Sequence, residues 1–203
     1  MLCAGKTSDG KIVVAADTKE IDGKFFVRST HKLCVLDPSR FSNVLWGFAG
    51  SKFSGCRLVH AVESRGEFGS WEDVIRAIRD DLWDINWGPD ANRGFAGGGL
   101  VVLIAGFLGN QSVLTQLDEN AEIVNDDRDV LYVGATEREA RAVSSSLDMM
   151  GWSGELLDRF EHIYRSIVAS GSDAVDFPID VFELVPNVKP TFPPRQLVLE
   201  EAG

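Results

Sequence analysis

Asp17 and Lys32 are the residues whose types and placement first suggest chemistry. Each falls at a strand position, and a turn at Asp22-Gly23 between them lets the chain fold back so that carboxylate and ammonium lie side by side. An ordinary surface ion pair would leave the same pattern in sequence. Gly50 precedes Ser51 where a strand pattern gives way to a helical one, and the free N–H groups of a helix starting there can face a negative charge. The remaining reactive side chains are scattered. Cys3, Cys34 and Cys56 form no C-x-x-C, and His31, His60 and His162 lie at no ligand spacing, so no structural metal is expected. Gly97-Gly98-Gly99 precedes a strand and not a helix, which is the wrong context for a phosphate-binding loop and reads as a turn.

The elements that must position these groups are readable from turns and periodicity. Leu2 to Thr7 and Ile12 to Ala16 are strands joined by Ser8-Asp9-Gly10-Lys11, where Asp-Gly suits a tight hairpin. Ile12 to Ala16 is apolar at every position, which predicts a strand covered on both faces. Further strands are expected at Phe25 to Val27, Lys32 to Leu36 and Val44 to Ala49. A helix follows with Ser51 as N-cap. Another begins at Ser70, with Asp73 in the third position, and carries one stripe of Trp71, Val74, Ile75, Ile78, Leu82 and Ile85. Its acids Glu72, Asp73, Asp80, Asp81 and Asp84 read as a solvated face.

After a Gly/Pro/Asn-rich break, Leu100 to Ala105, Ser112 to Leu117, Ala121 to Val124 and Val130 to Val133 predict a four-stranded meander. Helical periods return in Glu137 to Met149 and from Glu155 through Val168, and Ile179 to Val185 is a final long strand. Strands in two runs separated by a helix pair predict an α+β fold: a four-layer α-β-β-α sandwich of two antiparallel sheets. The chain is expected to be a single domain over 1–203, with 186–203 a Pro-rich C-terminal extension.

Composition narrows the functional classes. A chain of 203 residues with 44% hydrophobic and 25% charged residues is large enough for a core without disulfides. A formal charge of −11 at pH 7 repels phosphate backbones and anionic lipid, so neither nucleic acid nor a membrane is an expected partner. The longest apolar stretch, Phe95 to Leu108, is interrupted by glycines and falls short of the roughly 20 residues that span a bilayer. With three unpaired cysteine positions and no visible export signal, a cytoplasmic location is expected.

The stretch Asp9-Gly10-Lys11-Ile12-Val13-Val14-Ala15-Ala16-Asp17-Thr18-Lys19 resembles the opening of proteasome β-type subunits, and the likeness continues in order. It runs through Gly23, Lys32-Leu33, Gly47-Phe48-Ala49-Gly50 and Tyr132-Val133-Gly134-Ala135, with Ala140 in the helix that follows. The resemblance implies the N-terminal-nucleophile hydrolase sandwich, a threonine-peptidase lineage working without metal or organic cofactor, a peptide or protein substrate for an active member, and a homo-oligomeric assembly, ring-type included. It also implies roles. In the family the pair matched by Asp17 and Lys32 sits beside an N-terminal threonine, whose amine must be neutral to take the proton from its own hydroxyl; an adjacent ammonium lowers that amine's pKa. Gly50 matches the glycine whose N–H faces the oxyanion, and Asp173 matches the acidic residue of a later loop.

Against the same pattern, the nucleophile is missing. With one extra residue counted at Lys11 the family threonine falls immediately before Met1; without it, on Met1 itself. Leu2 is too large for simple methionine excision to expose a new nucleophile, and Cys3 lies too far along the strand. Ala135 stands where the family has a serine, Asp176 at another serine position, and Phe177-Pro178 replace Gly-Gly. The expectation is a structural or interaction subunit without peptidase activity as written. The alternative is an active threonine-type endopeptidase whose N-terminal threonine lies upstream of Met1. Trp71, Trp83 and Trp87 on one helix add an expectation that this helix or its neighbour lies at a subunit interface.

Overall fold

The structure, a computed structural model, describes residues 1–22, 25–29, 32–36, 43–89, 99–124, 129–173, 175–188 and 194–198. His31, Gly97, Gly98 and the Gly23 half of the Asp22-Gly23 turn therefore lie outside the described residues, as does 189–193 of the Pro-rich stretch.

The chain runs β1 (Leu2–Lys6), β2 (Ile12–Asp17), β3 (Lys19–Asp22), β4 (Phe25–Ser29), β5 (Leu33–Val35) and β6 (Leu45–Ala49), then α1 (Lys52–Ser64) and α2 (Trp71–Trp87). It continues through β7 (Val101–Leu108), β8 (Gln111–Leu117), β9 (Ile123–Val124), β10 (Val130–Val133), α3 (Glu137–Met149), α4 (Leu156–Ala169), β11 (Ile179–Leu184) and β12 (Arg195–Leu197). Two five-stranded antiparallel sheets result, ordered β10-β1-β2-β11-β12 and β5-β6-β7-β8-β9, and β3-β4 forms a separate two-stranded ribbon.

Strand parity builds the layers. Leu2 and Ala4 of β1 and Ile12, Val14 and Ala16 of β2 pack between the sheets against Leu33, Leu45, Leu103 and Phe107. Their neighbours Cys3, Val13 and Ala15 point the other way, onto Phe160, Ile163, Tyr164 and Ile167 of α4. This is why β2 is apolar at every position before Asp17. On the far side, Trp46, Val102 and Ile104 carry α1 and α2 through Leu58, Val62, Val74, Ile78 and Leu82. Three continuous apolar layers make the predicted α-β-β-α sandwich.

The helix starts follow the capping chemistry. Ser51 Oγ accepts from the Ser54 N–H, while Ser70 Oγ accepts from the Asp73 N–H at 3.1 Å and its hydroxyl donates to the Asp73 carboxylate at 3.0 Å, a closed cap that stabilises α2 by about 1 kcal/mol. The structure corrects one expectation. The meander has three strands, β7-β8-β9, and β10 crosses to pair with β1 from Leu2↔Val133 to Gly5↔Val130. That crossover carries Gly134 and α3 to the Met1 end of β1.

Candidate functional site

β2 ends at Asp17, and the β3-β4 ribbon returns the chain to Lys32 at the start of β5, so the two side chains approach from the two sheets. Lys32 Nζ donates to Asp17 Oδ1 at 2.7 Å. The other carboxylate oxygen accepts from the α-amino group of Met1, which is wholly buried, as is Asp17; Lys32 keeps 16% of its side chain exposed. Asp17 is therefore clamped between two cations.

The Met1 backbone is held on every side. Its carbonyl accepts from the Asp17 N–H at 3.3 Å, and the buried Tyr164 hydroxyl lies 3.1 Å from both that carbonyl and the carbonyl of Ala15, its one proton shared between them. At Gly134 φ is +120°, and a Cβ there would stand 3.1 Å from Ala49 Cβ and 3.2 Å from Met1 Cα, so only glycine lets the strand end come this close. Thr136 holds the N-cap position of α3 yet caps nothing; its hydroxyl donates to Met1 Sδ at 3.0 Å.

Burial and charge compete in this cluster. For Asp17 the loss of water is the largest single influence and disfavours ionisation, but the Met1 amine and Lys32 together outweigh it and hold the carboxyl below the usual carboxylate range. Burial drives the Met1 amine below its ordinary value, more strongly than Asp17 pulls it up, and Lys32 lowers it further. An amine so placed readily becomes a neutral proton acceptor. Cys3, also buried, is pushed up to about 12 by loss of water, which removes it as a thiolate nucleophile.

Gly50 sits at the exposed turn from β6 into α1 with φ +129°, a conformation that glycine alone adopts easily, next to Ala49 at the Met1 pocket. Asp173 lies exposed in the turn after α4 and makes no ion pair or hydrogen bond with Met1, Asp17 or Lys32. The structure thus joins Asp17 and Lys32 around Met1, sets Gly50 one residue beyond Ala49 and against Gly99 and Leu100, and leaves Asp173 outside. Two further members of the cluster, Thr136 and Tyr164, were missed in sequence. Thr136 carries no signal beyond that of an ordinary helix start, and Tyr164 has the spacing of one more member of the α4 apolar stripe.

No protein-family model matches the sequence, and no curated protein does. The fold is nevertheless matched by solved structures. Eukaryotic HslV from Trypanosoma brucei superposes with a TM-score of 0.65 at 16% identity, over 91% of this chain and 98% of that one. The Anbu (Gly-1) mutant from Hyphomicrobium sp. strain MC1 gives 0.74 at 15% identity, over 99% and 88%. The chain has the HslV and Anbu fold. This is the proteasome-β-like, N-terminal-nucleophile hydrolase sandwich, reached by a sequence that shares few residues with either. The buried end of β1 at Met1 is the place where Asp17, Lys32, Gly134 and Ala49 converge. Among the described residues no cluster of three or more His, Cys, Asp or Glu is arranged to hold a metal ion, and no helix is long and apolar enough to cross a membrane.

Proposed function

We propose that this protein is a proteasome-β-like subunit with structural or interaction duties, whose peptidase site is filled by a residue that cannot react. The observation carrying this is Met1 itself. Its amine takes the place beside Asp17 and Lys32 that the family gives to an N-terminal threonine, while its side chain is a thioether seated on the Thr136 hydroxyl. A thioether has no proton to surrender to the amine, so the base and the ammonium have nothing to activate. Oxyanion donors and binding alone leave only residual acceleration.

The alternative remains an active threonine-type endopeptidase whose N-terminal threonine lies upstream of Met1. As a subunit, the protein would assemble with further copies through apolar surface left open at the α3-α4 turn, where Met149 and Met150 are 82% and 72% exposed beside Trp152. Light scattering at micromolar concentration should show an oligomer; a strict monomer counts against the subunit role.

The decisive experiment pairs two proteins. The native sequence, its N-terminal Met1 verified by intact mass, should neither turn over fluorogenic peptides nor label with epoxyketones directed at N-terminal threonine. A Met1→Thr variant with the threonine amine freed by cleaving a fusion should gain slow turnover that Lys32→Ala abolishes, since the amine and Lys32 share the Asp17 carboxylate. Saturable labelling of the native protein, lost in Lys32→Ala, would overturn the reading.

A further inference from the structure

A groove of about 770 Å³ opens between α2 and the end of the β5-β6-β7-β8-β9 sheet, on the opposite helix layer from the Met1 pocket. Its apolar floor is Trp71, Ile75, Trp83 and Ile123, and the last two are 50% and 43% exposed. Its rim carries Glu72, Asp80, Asp84 and Glu122, and among the described residues none of these carboxylates has an ion pair or hydrogen bond. Elsewhere on the same helix, carboxylates find partners: Asp81 takes Arg65 in a two-pronged bond at 2.6 and 2.9 Å, and Asp73 takes Ser70 and Arg76. Of the groove's own cations, Arg76 leans to Asp73 outside it, and Arg79 has no partner among the described residues.

An independent observation concerns Thr115. It lines the groove, is only 8% exposed, and its hydroxyl has no hydrogen-bond partner among the described residues. This hydroxyl keeps its hydrogen-bonding capacity for whatever enters the groove, in exchange for solvent. An apolar floor, unpaired carboxylates at the rim and a recessed hydroxyl together define complementary chemistry: an aliphatic chain below, positive charge above, a backbone amide within.

We propose that the α2/β8-β9 groove docks an extended peptide segment of a partner protein in which arginine alternates with aliphatic residues. Arginine lies over the Trp83 ring with its guanidinium toward Asp80 and Asp84, aliphatic side chains contact Ile75 and Ile123, and the peptide backbone bonds Thr115. The same groove of a second copy fits poorly here, because it would set the rim of Glu72, Asp80, Asp84 and Glu122 against an identical acidic rim; the field of the −11 charge repels nucleic acid and anionic lipid.

The test is fluorescence anisotropy with a fluorescein-labelled nine-residue peptide alternating arginine and leucine, and its glutamate-for-arginine counterpart. The arginine peptide should bind and the glutamate peptide should not. Trp83→Ala and the pair Asp80→Asn/Asp84→Asn should each weaken binding by about tenfold or more, the range of interface anchors. The control pair Glu139→Gln/Asp158→Asn removes the same charge from exposed positions on α3 and α4 and should leave binding unchanged. Equal weakening by the control pair would show attraction to net charge alone and overturn the proposal. Tighter binding of the glutamate peptide through Arg79 would overturn it too, as would self-association abolished by Trp83→Ala, which assigns the face to a second copy.

Discussion

At the Met1 end of β1, charged groups are buried and matched: one carboxylate between two cations, a phenol over two carbonyls, a hydroxyl on a thioether. In the groove beside α2 the rim carboxylates are exposed and, among the described residues, without an ion pair or hydrogen bond. The first region is closed upon itself, so removing any member leaves a partner stranded in low dielectric, whereas the groove already has its groups in water. The same residue types, Asp with Lys or Arg, thus act as structural cement in one place and as an unoccupied recognition surface in the other.

The sharpest way to break that contrast is Asp17→Asn. It leaves the Met1 amine and Lys32 without a counter-charge in a buried site, and should cost about 3–5 kcal/mol in urea unfolding. A loss no larger than that of a surface substitution would mean the cluster is wetter than its burial indicates. Gly134→Ala comes next: it combines a positive φ with a Cβ against Met1 Cα and Ala49, and should cost about 2 kcal/mol by the same measurement. Tyr164→Phe deletes the hydroxyl over the Met1 and Ala15 carbonyls and should cost about 1 kcal/mol, without changing far-UV dichroism.

Smaller still is a dependence on pH. The Met1 amine has its pKa lowered on folding from an ordinary value of 8.0, so the unfolded chain binds more protons between the two values. Stability should then rise as pH climbs toward 8 and flatten above it, and fall on acidification through that window. Asp17, held below the ordinary carboxylate value, adds a further loss only when pH falls below about 4. Unfolding midpoints from pH 6 to 8 test the amine, below the range where the buried Cys3 and Cys34 thiols, both held up to about 12, make stability fall with rising pH; a flat profile would mean that Asp17 keeps the amine protonated throughout. At the bottom of the scale, Asp80→Asn/Asp84→Asn should move the melting temperature by no more than a surface substitution does, because among the described residues neither carboxylate has an ion pair or hydrogen bond and each only adds to the field on the half-exposed Arg65.

What could be read from sequence was mostly local. The Asp9-Gly10 hairpin, the Ser51 and Ser70 caps and the stripe of α2 depend on neighbours a few residues apart, and all appear in the structure. The course of β10 was not legible, since its partner β1 lies more than a hundred residues earlier and a short apolar strand carries no mark of the sheet it will join. The Asp17-Lys32 contact could be anticipated because one ribbon connects them. Thr136 and Tyr164 could not: each reaches Met1 from over a hundred residues away, and a threonine at a helix start normally spends its hydroxyl on the cap.

The two sheets differ in how the ribosome delivers them. The sheet β5-β6-β7-β8-β9 is drawn from one unbroken stretch of chain, 33–124, and can assemble with its helices α1 and α2 while the rest is still being made. The sheet that holds Met1 cannot. Although β1 and β2 emerge first, β2 waits for β11, which lies against it from Ile179↔Asp17 to Leu184↔Ile12, and for α4 with Tyr164. Asp17 therefore spends most of synthesis beside an unfinished edge, and the oldest residues of the nascent chain are among the last to be locked.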